Sequence, residues 1–313
     1  MRAVRCAEGH IHLVEVDRPS GEGVRVKVAS AGICGSDLHL VTAGFPMTST
    51  FGHEIAGVTE NGTPVAIEPL AICGTCPACV SGNYNHCVIG SFAATIGVGR
   101  DGGMADEVIV PARCLVPLPS GLSAADACLA EPLAVAVHGV AMTGLKAGDR
   151  VAVIGGGSIG LCAVAVAKEI TQDVALSARH DAQRRAGEIL GAALEPSGEY
   201  DLVIECAGTS GSMADAVRLC RPGATLLMLA TYWEGLTLPA FEVSGKELRV
   251  IGSASYARNG AVRDIDIAAA MLARNPKIAT SLITHRLPLD AAAEAFDVAR
   301  DRAAGAIKVV LTP

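Results

Sequence analysis

The alternation of strand and helix patterns from about residue 147 to residue 230 constrains the fold of this 313-residue chain more than any other feature. Short apolar runs such as "DRVAVIGGG", "DVALSA" and "YDLVIECAG" are separated by helical patterns such as "SIGLCAVAVAKEI" and "DAQRRAGEILG". Strands that alternate with helices form parallel sheets, because each helical crossover returns the chain to the same end of the sheet. The sequence therefore predicts an α/β fold with a doubly wound parallel sheet.

The first part of the chain has a different rhythm. Up to about residue 134, alternating runs such as "GVRVKVASAG" and "GTPVAIEP" are interrupted by Gly and Pro, which is typical of a mostly β domain with long loops. The C-terminal segment offers one amphipathic helix and a final strand, too little for a core of its own. We therefore expect two domains, one of residues 1–134 completed by residues 278–313, and one of residues 135–277.

Charge and hydropathy exclude two classes of partner. The formal net charge is −7 and no basic run occurs, which argues against a nucleic-acid ligand. The N-terminus lacks the apolar core of a signal peptide, and no uninterrupted apolar stretch reaches the ~18 residues of a membrane span. We expect a cytoplasmic protein without a membrane partner.

Four of the eleven cysteines lie close together in "CGTCPACVSGNYNHC". Without an export signal, thiols are favoured over disulfides. Four thiolates at C-x2-C-x2-C-x7-C spacing can fill the tetrahedral shell of zinc and leave no position for water or substrate. We predict a structural zinc site; a chance cluster of thiols and an iron–sulfur cluster are the alternatives. The predicted ligands are Cys73, Cys76, Cys79 and Cys87.

A glycine motif marks the start of the strand–helix alternation. Gly155, Gly157 and Gly160 have the GxGxxG spacing, directly after an apolar run and at the start of a helical one. In this context the glycines allow a tight turn, a close approach of the pyrophosphate and close helix packing. The predicted cofactor contacts are these glycines together with Ser158 and Ile159.

The end of the next strand bears on which dinucleotide is bound. A site for NAD carries a carboxylate there, whereas this chain has Ser177 and Ala178, followed by Arg179 and His180. A hydroxyl and a guanidinium suit the 2′-phosphate of NADP, so NADP is favoured over NAD. Asp181, expected as a helix N-cap, would reverse the preference if it reached the ribose.

Three further motifs stand at separate places in the chain: "AGICGSDLHL" (31–40), "FGHEIAG" (51–57) and "LAEPLAVAVHGV" (129–140). With the cysteine cluster and the glycine motif, they resemble the zinc-dependent medium-chain alcohol dehydrogenase family over nearly the whole chain. The "EPLAVA" segment is similar to the sorbitol, polyol and butanediol dehydrogenase branch. The resemblance implies a GroES-like, mostly β catalytic domain and a Rossmann dinucleotide-binding domain.

The resemblance also implies a second, catalytic zinc. Its ligands would be Cys34, His53 and Glu131, with Glu54 able to approach the metal, so that the chain would hold two zinc ions. Taken singly, a lone Cys or His in an apolar stretch is more often an ordinary core residue. Three protein ligands leave a fourth position for an alcohol oxygen.

The resemblance assigns the remaining site residues. Ser36 would receive the substrate proton and His39 would pass it towards solvent, whereas Asp37 would orient the ligand histidine. An ordinary loop hydroxyl and a turn-capping carboxylate are the alternatives for Ser36 and Asp37. "ECAGTS", which contains Ala207, and "LATYWEG" resemble the loops that carry the nicotinamide half.

These features predict an enzyme that interconverts a small secondary alcohol or polyol and its ketone, with hydride transfer to NADP(H) or NAD(H). The alternative is a catalytically inactive cofactor-binding or sensor protein of the same fold, which would have lost zinc ligands. Relatives imply a homodimer or homotetramer. The short segment 40–52 predicts a substrate pocket that is open or completed by a neighbouring subunit, with Phe45, Trp233 and Tyr256 as candidate lining residues.

Overall fold

The structure is a computed structural model that describes residues 1–45, 47–90 and 94–313. The chain divides into two compact units: Met1–Glu131 with Ala257–Pro313, and Pro132–Tyr256. The sequence placed the later boundary at 277/278, about twenty residues further on. Residues 257–277 join the first unit because Arg263 donates hydrogen bonds to the carbonyls of Arg113 and Leu115 at 2.9 and 3.1 Å.

The first unit is built mainly from β-strands. A seven-stranded sheet includes two strands from the C-terminal segment, β16 (Ile283–Pro288) and β17 (Lys308–Thr312), and has the order β16-β17-β3-β4-β5-β7, with β6 paired to β3. Strands β1 and β2 form a separate hairpin. The N-terminal part of the unit contains β1 (Arg2–Ala7), β2 (His10–Glu15), β3 (Val24–Gly32), α1 (Gly35–Thr42), β4 (Glu54–Thr59), β5 (Pro64–Ile67), α2 (Pro77–Ser81), β6 (Glu107–Val110) and β7 (Leu115–Pro117).

The second unit is a doubly wound α/β domain. Its six-stranded sheet has the order β10-β9-β8-β11-β12-β13, and every pair is parallel. Helix α3, which begins in the first unit, leads into it. The elements are α3 (Ala130–Thr143), β8 (Val151–Ile154), α4 (Ser158–Lys168), β9 (Val174–Ser177), α5 (Asp181–Ile189), β10 (Ala193–Leu194), β11 (Tyr200–Glu205), α6 (Ser210–Leu219), β12 (Cys220–Met228), α7 (Ala240–Gly245) and β13 (Arg249–Gly252).

The C-terminal segment returns to the first unit. Strand β17 pairs with β3, and the T-shaped contact of Phe51 with Phe296 of α10, at 5.9 Å between ring centroids, lies in the same core. The sequence predicted this return but missed β16, whose residues alternate between half-buried and exposed. The elements are β14 (Arg258–Asn259), β15 (Val262–Arg263), α8 (Asp264–Arg274), α9 (Lys277–Leu282), β16 (Ile283–Pro288), α10 (Ala292–Arg300) and β17 (Lys308–Thr312).

The predicted fold class is confirmed: a mostly β unit and a parallel-sheet unit occur in one chain. In the second unit the strand order reverses between β8 and β11, because β9 and β10 lie on one side of β8 and β12 and β13 lie beyond β11. Ligands of such sheets bind at this reversal, outside the carboxyl ends of the strands. Within the described residues, no helix is long and apolar enough to cross a membrane.

Candidate metal and cofactor sites

Three possible metal ligands meet where β3, β4 and α1 come together. Cys34 follows the end of β3 as the N-cap residue of α1, His53 directly precedes β4, and Glu54 is the first residue of β4. One sulfur, one ring nitrogen and one carboxylate oxygen from these residues all lie within 4.8 Å of one another. The antiparallel pairing of Gly32 with Glu54 creates this proximity, because it sets the end of β3 beside the start of β4.

Asp37 lies against two members of this cluster. Its carboxylate is fully buried; Oδ2 accepts a hydrogen bond from the Cys34 N–H at 2.9 Å, and Oδ1 lies 3.5 Å from Nδ1 of His53. A carboxylate at Nδ1 orients the ring and leaves Nε2 available to a metal. Asp37 therefore occupies both positions that the sequence left as alternatives, since it caps the helix and faces the histidine.

The electrostatic field of the cluster favours a positive charge. Burial by itself lowers the pKa of His53, but Asp37 and Cys34 outweigh that effect and raise the pKa well above its usual value. A site whose anionic neighbours stabilise a cation at the ring also attracts a divalent metal ion.

Glu54 makes a buried ion pair across the sheet. Its Oε1 accepts a hydrogen bond from Nζ of Lys308 at 2.6 Å, and the same Nζ donates to the carbonyl of Ile33 at 3.0 Å. Glu54 and Lys308 flank the end of β3, and a Cβ added at Gly32 would lie 2.0 Å from Oε2 of Glu54. Only glycine leaves room for this pair. The sequence gave no signal for Lys308, which lies 254 residues away from Glu54.

The donor set fits zinc. Sulfur, imidazole and carboxylate are its usual protein ligands, and Oε2 of Glu54 is buried without a hydrogen-bond partner among the described residues. Glu131, the predicted third ligand, is half-buried near the start of α3 and is not a member of the 4.8 Å group. Ser36 is half-buried and His39 exposed, both in α1 beside Cys34.

The four clustered cysteines form a separate site, which we call the cysteine lobe (Cys73–Gly90). All four sulfurs lie within 4.8 Å of one another, with Sγ of Cys73 at 3.8 Å from Cys79 and 3.6 Å from Cys87. These separations are far longer than a disulfide, and zinc–sulfur bonds of ~2.3 Å put tetrahedral ligands about 3.8 Å apart. The lobe therefore fits a zinc ion bound by four thiolates.

Backbone amides favour the thiolate at two of the four sulfurs, because they lower the pKa of Cys73 and of Cys76. The backbone N–H groups of Thr75 and Cys76 lower the pKa of Cys73 to about 6, whereas burial raises the pKa of Cys79 to about 12. The buried hydroxyl of Tyr84 fastens the lobe to the sheet, since it lies 2.5 Å from Oε1 of Glu68 and 2.7 Å from the carbonyl of Ala257.

The glycine motif forms the turn between β8 and α4, on one side of the strand-order reversal. Gly155 has a φ of 108°, and a Cβ at Gly160 would lie 1.8 Å from the Gly155 carbonyl oxygen, so both positions require glycine. A Cβ at Gly157 would meet nothing within 4 Å, which leaves its surroundings open to a ligand. Ser158 and Ile159 follow as the first residues of α4.

The residues expected to contact the adenosine ribose lie at the carboxyl end of β9 and directly after it. The carbonyl of Ser177, which ends β9, accepts a hydrogen bond from the Gly155 N–H at 2.9 Å, so this end of β9 adjoins the glycine turn. Arg179 is exposed and His180 is half-buried. The prediction that Asp181 caps the next helix is wrong: His180 is the N-cap residue, and Asp181 lies in the first turn of α5.

On the other side of the reversal stand the segments 205–210 and 229–235. Backbone N–H groups of Ala207 and Gly208 donate to Oε1 of Glu205 at 2.8 and 2.9 Å, so those amides are already used within the protein. Of the residues suspected near a substrate, Phe45 and Trp233 are partly exposed, whereas Tyr256 is fully buried.

Comparisons with known proteins give a consistent result. Residues 20–120 match the family described as the alcohol dehydrogenase GroES-like domain. The chain is 31% identical to L-galactonate-5-dehydrogenase of Escherichia coli K12, over 90% of this chain and 89% of the relative. It is 30% identical to sorbitol dehydrogenase of Halalkalibacterium halodurans, over 97% and 96% of the two chains.

A solved structure agrees with these relatives. A protein from Sinorhizobium meliloti 1021, described as a zinc-binding dehydrogenase and solved with NADP, is 32% identical with a TM-score of 0.85, over 100% of this chain and 99% of that one.

Proposed function

The chain belongs to the zinc-dependent medium-chain alcohol dehydrogenase family, in its polyol dehydrogenase branch, and we propose how its residues divide the work of this activity. It is an oxidoreductase that interconverts a secondary alcohol or polyol and its ketone with a nicotinamide cofactor. The cluster of Cys34, His53 and a buried carboxylate is the observation that carries the assignment of roles. Zinc bound there supplies a Lewis acid that lowers the pKa of an alcohol and favours loss of hydride.

Cys34 and His53 hold the metal in this proposal, and a carboxylate completes the protein ligands. Two glutamates are available for the third place. Glu131 is the one that the family resemblance implies, whereas Glu54 is within 4.8 Å of the other two and is tied to Lys308. We assign the third place to Glu131 in the working enzyme and an exchangeable role to Glu54, because Lys308 neutralises Glu54 and so reduces its need for the metal.

The proton leaves through α1. Ser36 accepts the hydroxyl proton of the substrate, and His39, three residues later and exposed, passes it to water. Residues three apart lie on the same face of a helix, which suits a relay between them. Asp37 keeps Nε2 of His53 directed towards the metal.

The alternative of an inactive sensor predicts lost ligands. The chain retains Cys34, His53 and both glutamates, and none of the comparisons favours that alternative.

The relatives named above act on sugar acids and sugar alcohols, so the preferred substrate is proposed to be a polyol or polyhydroxy acid. Reduction of NADP and of NAD should be followed with diols, sugar alcohols, sugar acids and simple secondary alcohols. Turnover of polyols is the expected result, and no reduction with any alcohol would refute the proposal.

We assign NADP as the preferred cofactor on the basis of Ser177 and Arg179 at the carboxyl end of β9. Arg179→Ala should weaken NADP by a charge-assisted contact of ~1.5–3 kcal/mol and leave NAD almost unchanged. Arg184→Ala is the matched control, because Arg184 lies five residues further along the chain, in α5, and is already paired with Glu195. Equal losses for NADP and NAD would remove this role from Arg179.

The remaining assignments concern the assembly. The chain is proposed to hold two zinc ions and to form a homodimer or homotetramer. Strand β13 is an edge of the parallel sheet with mostly exposed residues, and Phe241 nearby is 88% exposed. Such an edge can pair with its copy across a two-fold axis. A monomer by sedimentation would refute the oligomer, and Val250→Lys should dissociate it.

A further inference from the structure

Glu205, at the end of β11, is a buried carboxylate with three hydrogen-bond donors. Oε1 accepts from the N–H groups of Ala207 and Gly208, and Oε2 accepts from the hydroxyl of Tyr232 at 2.5 Å. The residue is fully buried. Because a buried carboxylate is costly unless it is fully hydrogen-bonded, loss of any donor should disturb the segment that supplies the others.

These bonds join two loops that follow neighbouring strands. Tyr232 lies in the loop after β12, and Ala207 and Gly208 lie in the loop after β11. The Leu229 N–H also donates to the Glu205 carbonyl at 2.9 Å, and the Thr237 N–H donates to Oγ of Ser210 at 3.0 Å. The two loops, which we call the paired loops (205–210 and 229–237), are therefore held as one structure.

The paired loops also adjoin the glycine turn. The Cys206 N–H donates to the Ile154 carbonyl at 2.9 Å, and a Cβ at Gly155 would lie 3.0 Å from both N and Cβ of Ala207. The glycine turn follows β8 and the paired loops follow β11 and β12, so they stand on opposite sides of the strand-order reversal. A dinucleotide that lies across this reversal has its pyrophosphate at the glycine turn. A dinucleotide bound in this way would have its adenosine over β9 and its nicotinamide end over the paired loops.

We propose that Tyr232, acting through Glu205, is a positioning residue for the nicotinamide half of the cofactor. It has no part in binding the adenosine half. The inference rests on the proposed cofactor site and adds to it a residue that reaches the cofactor only through its neighbours. The Tyr232 hydroxyl donates the hydrogen bond that Oε2 of the buried Glu205 needs. Glu205 in turn fixes the backbone of Ala207 and Gly208, against which the nicotinamide half is bound.

The test compares each cofactor with the same molecule lacking nicotinamide. Dissociation constants of NADPH and NADH should be measured beside those of ADP-ribose 2′-phosphate and ADP-ribose, for the wild type and for Tyr232→Phe. Loss of this charge-assisted hydrogen bond should loosen the backbone of Ala207 and Gly208, so both dinucleotides should bind several-fold more weakly, up to about tenfold. The fragments should change less than about twofold. Trp233, the only tryptophan, follows Tyr232 directly and reports on this loop by its fluorescence.

Two further variants separate positioning from general damage. Tyr200→Phe is the matched control, because the Tyr200 hydroxyl accepts a hydrogen bond from the Ser197 N–H at 3.1 Å at the opposite end of β11. It should leave the ratio of fragment to dinucleotide affinity unchanged. In a Glu205→Gln background, Tyr232→Phe should have a much smaller effect than in the wild type, since the charged acceptor is gone.

Several outcomes would overturn the inference. These are equal weakening of fragments and dinucleotides by Tyr232→Phe, no weakening of either, or the same effect with and without Glu205→Gln. Failure of the enzyme to oxidise any alcohol would refute the proposed function, but it would leave these binding measurements intact and the two failures distinguishable.

Discussion

The two cysteine-containing clusters of the first unit differ in how the chain assembles them. The cysteine lobe takes all four of its candidate ligands from one short segment, Cys73 to Cys87. The mixed cluster takes Cys34 from the end of one strand and His53 and Glu54 from the start of its neighbour, and it depends on Lys308 from a third strand. The first therefore needs only local folding, whereas the second exists only when the sheet is formed.

The two clusters also differ in chemistry. Four thiolates complete the coordination of zinc, so the cysteine lobe can stabilise the fold but has no position for a substrate. The mixed cluster has fewer candidate ligands, and the carboxylate in it, that of Glu54, is held by a buried ammonium. Burial by itself lowers the pKa of Lys308, but Glu54 outweighs that effect and raises the pKa above its usual value, so Lys308 keeps its positive charge. We infer that the lobe serves stability and the mixed cluster serves reaction.

The largest loss of turnover should come from removing one sulfur from the mixed cluster. Cys34→Ser should abolish turnover and remove one of two zinc ions, because the Lewis acid is no longer held. Metal analysis and steady-state kinetics measure both effects. The fold should survive, as judged by circular dichroism, and retained turnover would take the catalytic role from Cys34.

The next largest effect, a loss of stability, should come from breaking the buried ion pair of Lys308 and Glu54. Lys308→Met leaves Glu54 buried without its cation, which should lower the free energy of unfolding by about 3–5 kcal/mol. Lys308→Arg keeps the charge and should cost much less. Chemical denaturation measures both variants, and equal stabilities for them would mean that the positive charge is not what matters.

Asp37→Asn should weaken zinc binding at the mixed cluster alone. An amide can still accept the Cys34 N–H, but it no longer provides a negative charge beside Nδ1 of His53. Groups that orient a metal ligand are worth about 10–100-fold in metal affinity. Competition with a chelator should show this loss for one zinc while the other is held as before. Weakening of both ions together would contradict the separation of the two sites.

The smallest effect on turnover should come from the cysteine lobe. Cys79→Ser should remove the other zinc and make residues 73–90 sensitive to protease, because metal binding there is coupled to folding. Turnover per remaining zinc should fall by no more than a few-fold at low temperature. Loss of turnover as complete as in Cys34→Ser would end the distinction between a structural and a reactive site.

The sequence could predict features that are local in the chain, such as the cysteine lobe, but not those that depend on strand pairing, such as the mixed cluster. The proximity of the four clustered cysteines is a consequence of spacing, and the glycine motif was readable because strand and helix flank it. The mixed cluster came only from family resemblance, since pairing of β3 with β4 brings its members together. Lys308 could not be found, because its partner is on a distant strand. Strand β16 was missed because its alternation is half-exposed rather than apolar.

The paired loops show a further limit of sequence analysis. Glu205 and Tyr232 are separated by a whole helix and strand, and neither belongs to a spacing pattern. Their contact depends on the parallel register of β11 and β12, which periodicity does not determine. The third zinc ligand has the same difficulty, since Glu54 and Glu131 have the same carboxylate and the sequence pattern does not show that Glu54 is paired with Lys308.

Anomalous diffraction at the zinc edge from crystals of the purified enzyme tests the central claim most directly. The account predicts two peaks per chain, one among the sulfurs of the cysteine lobe and one between Sγ of Cys34 and the ring of His53. The second peak also identifies the carboxylate that completes it. A single peak in the cysteine lobe, with none between Cys34 and His53, would contradict the account.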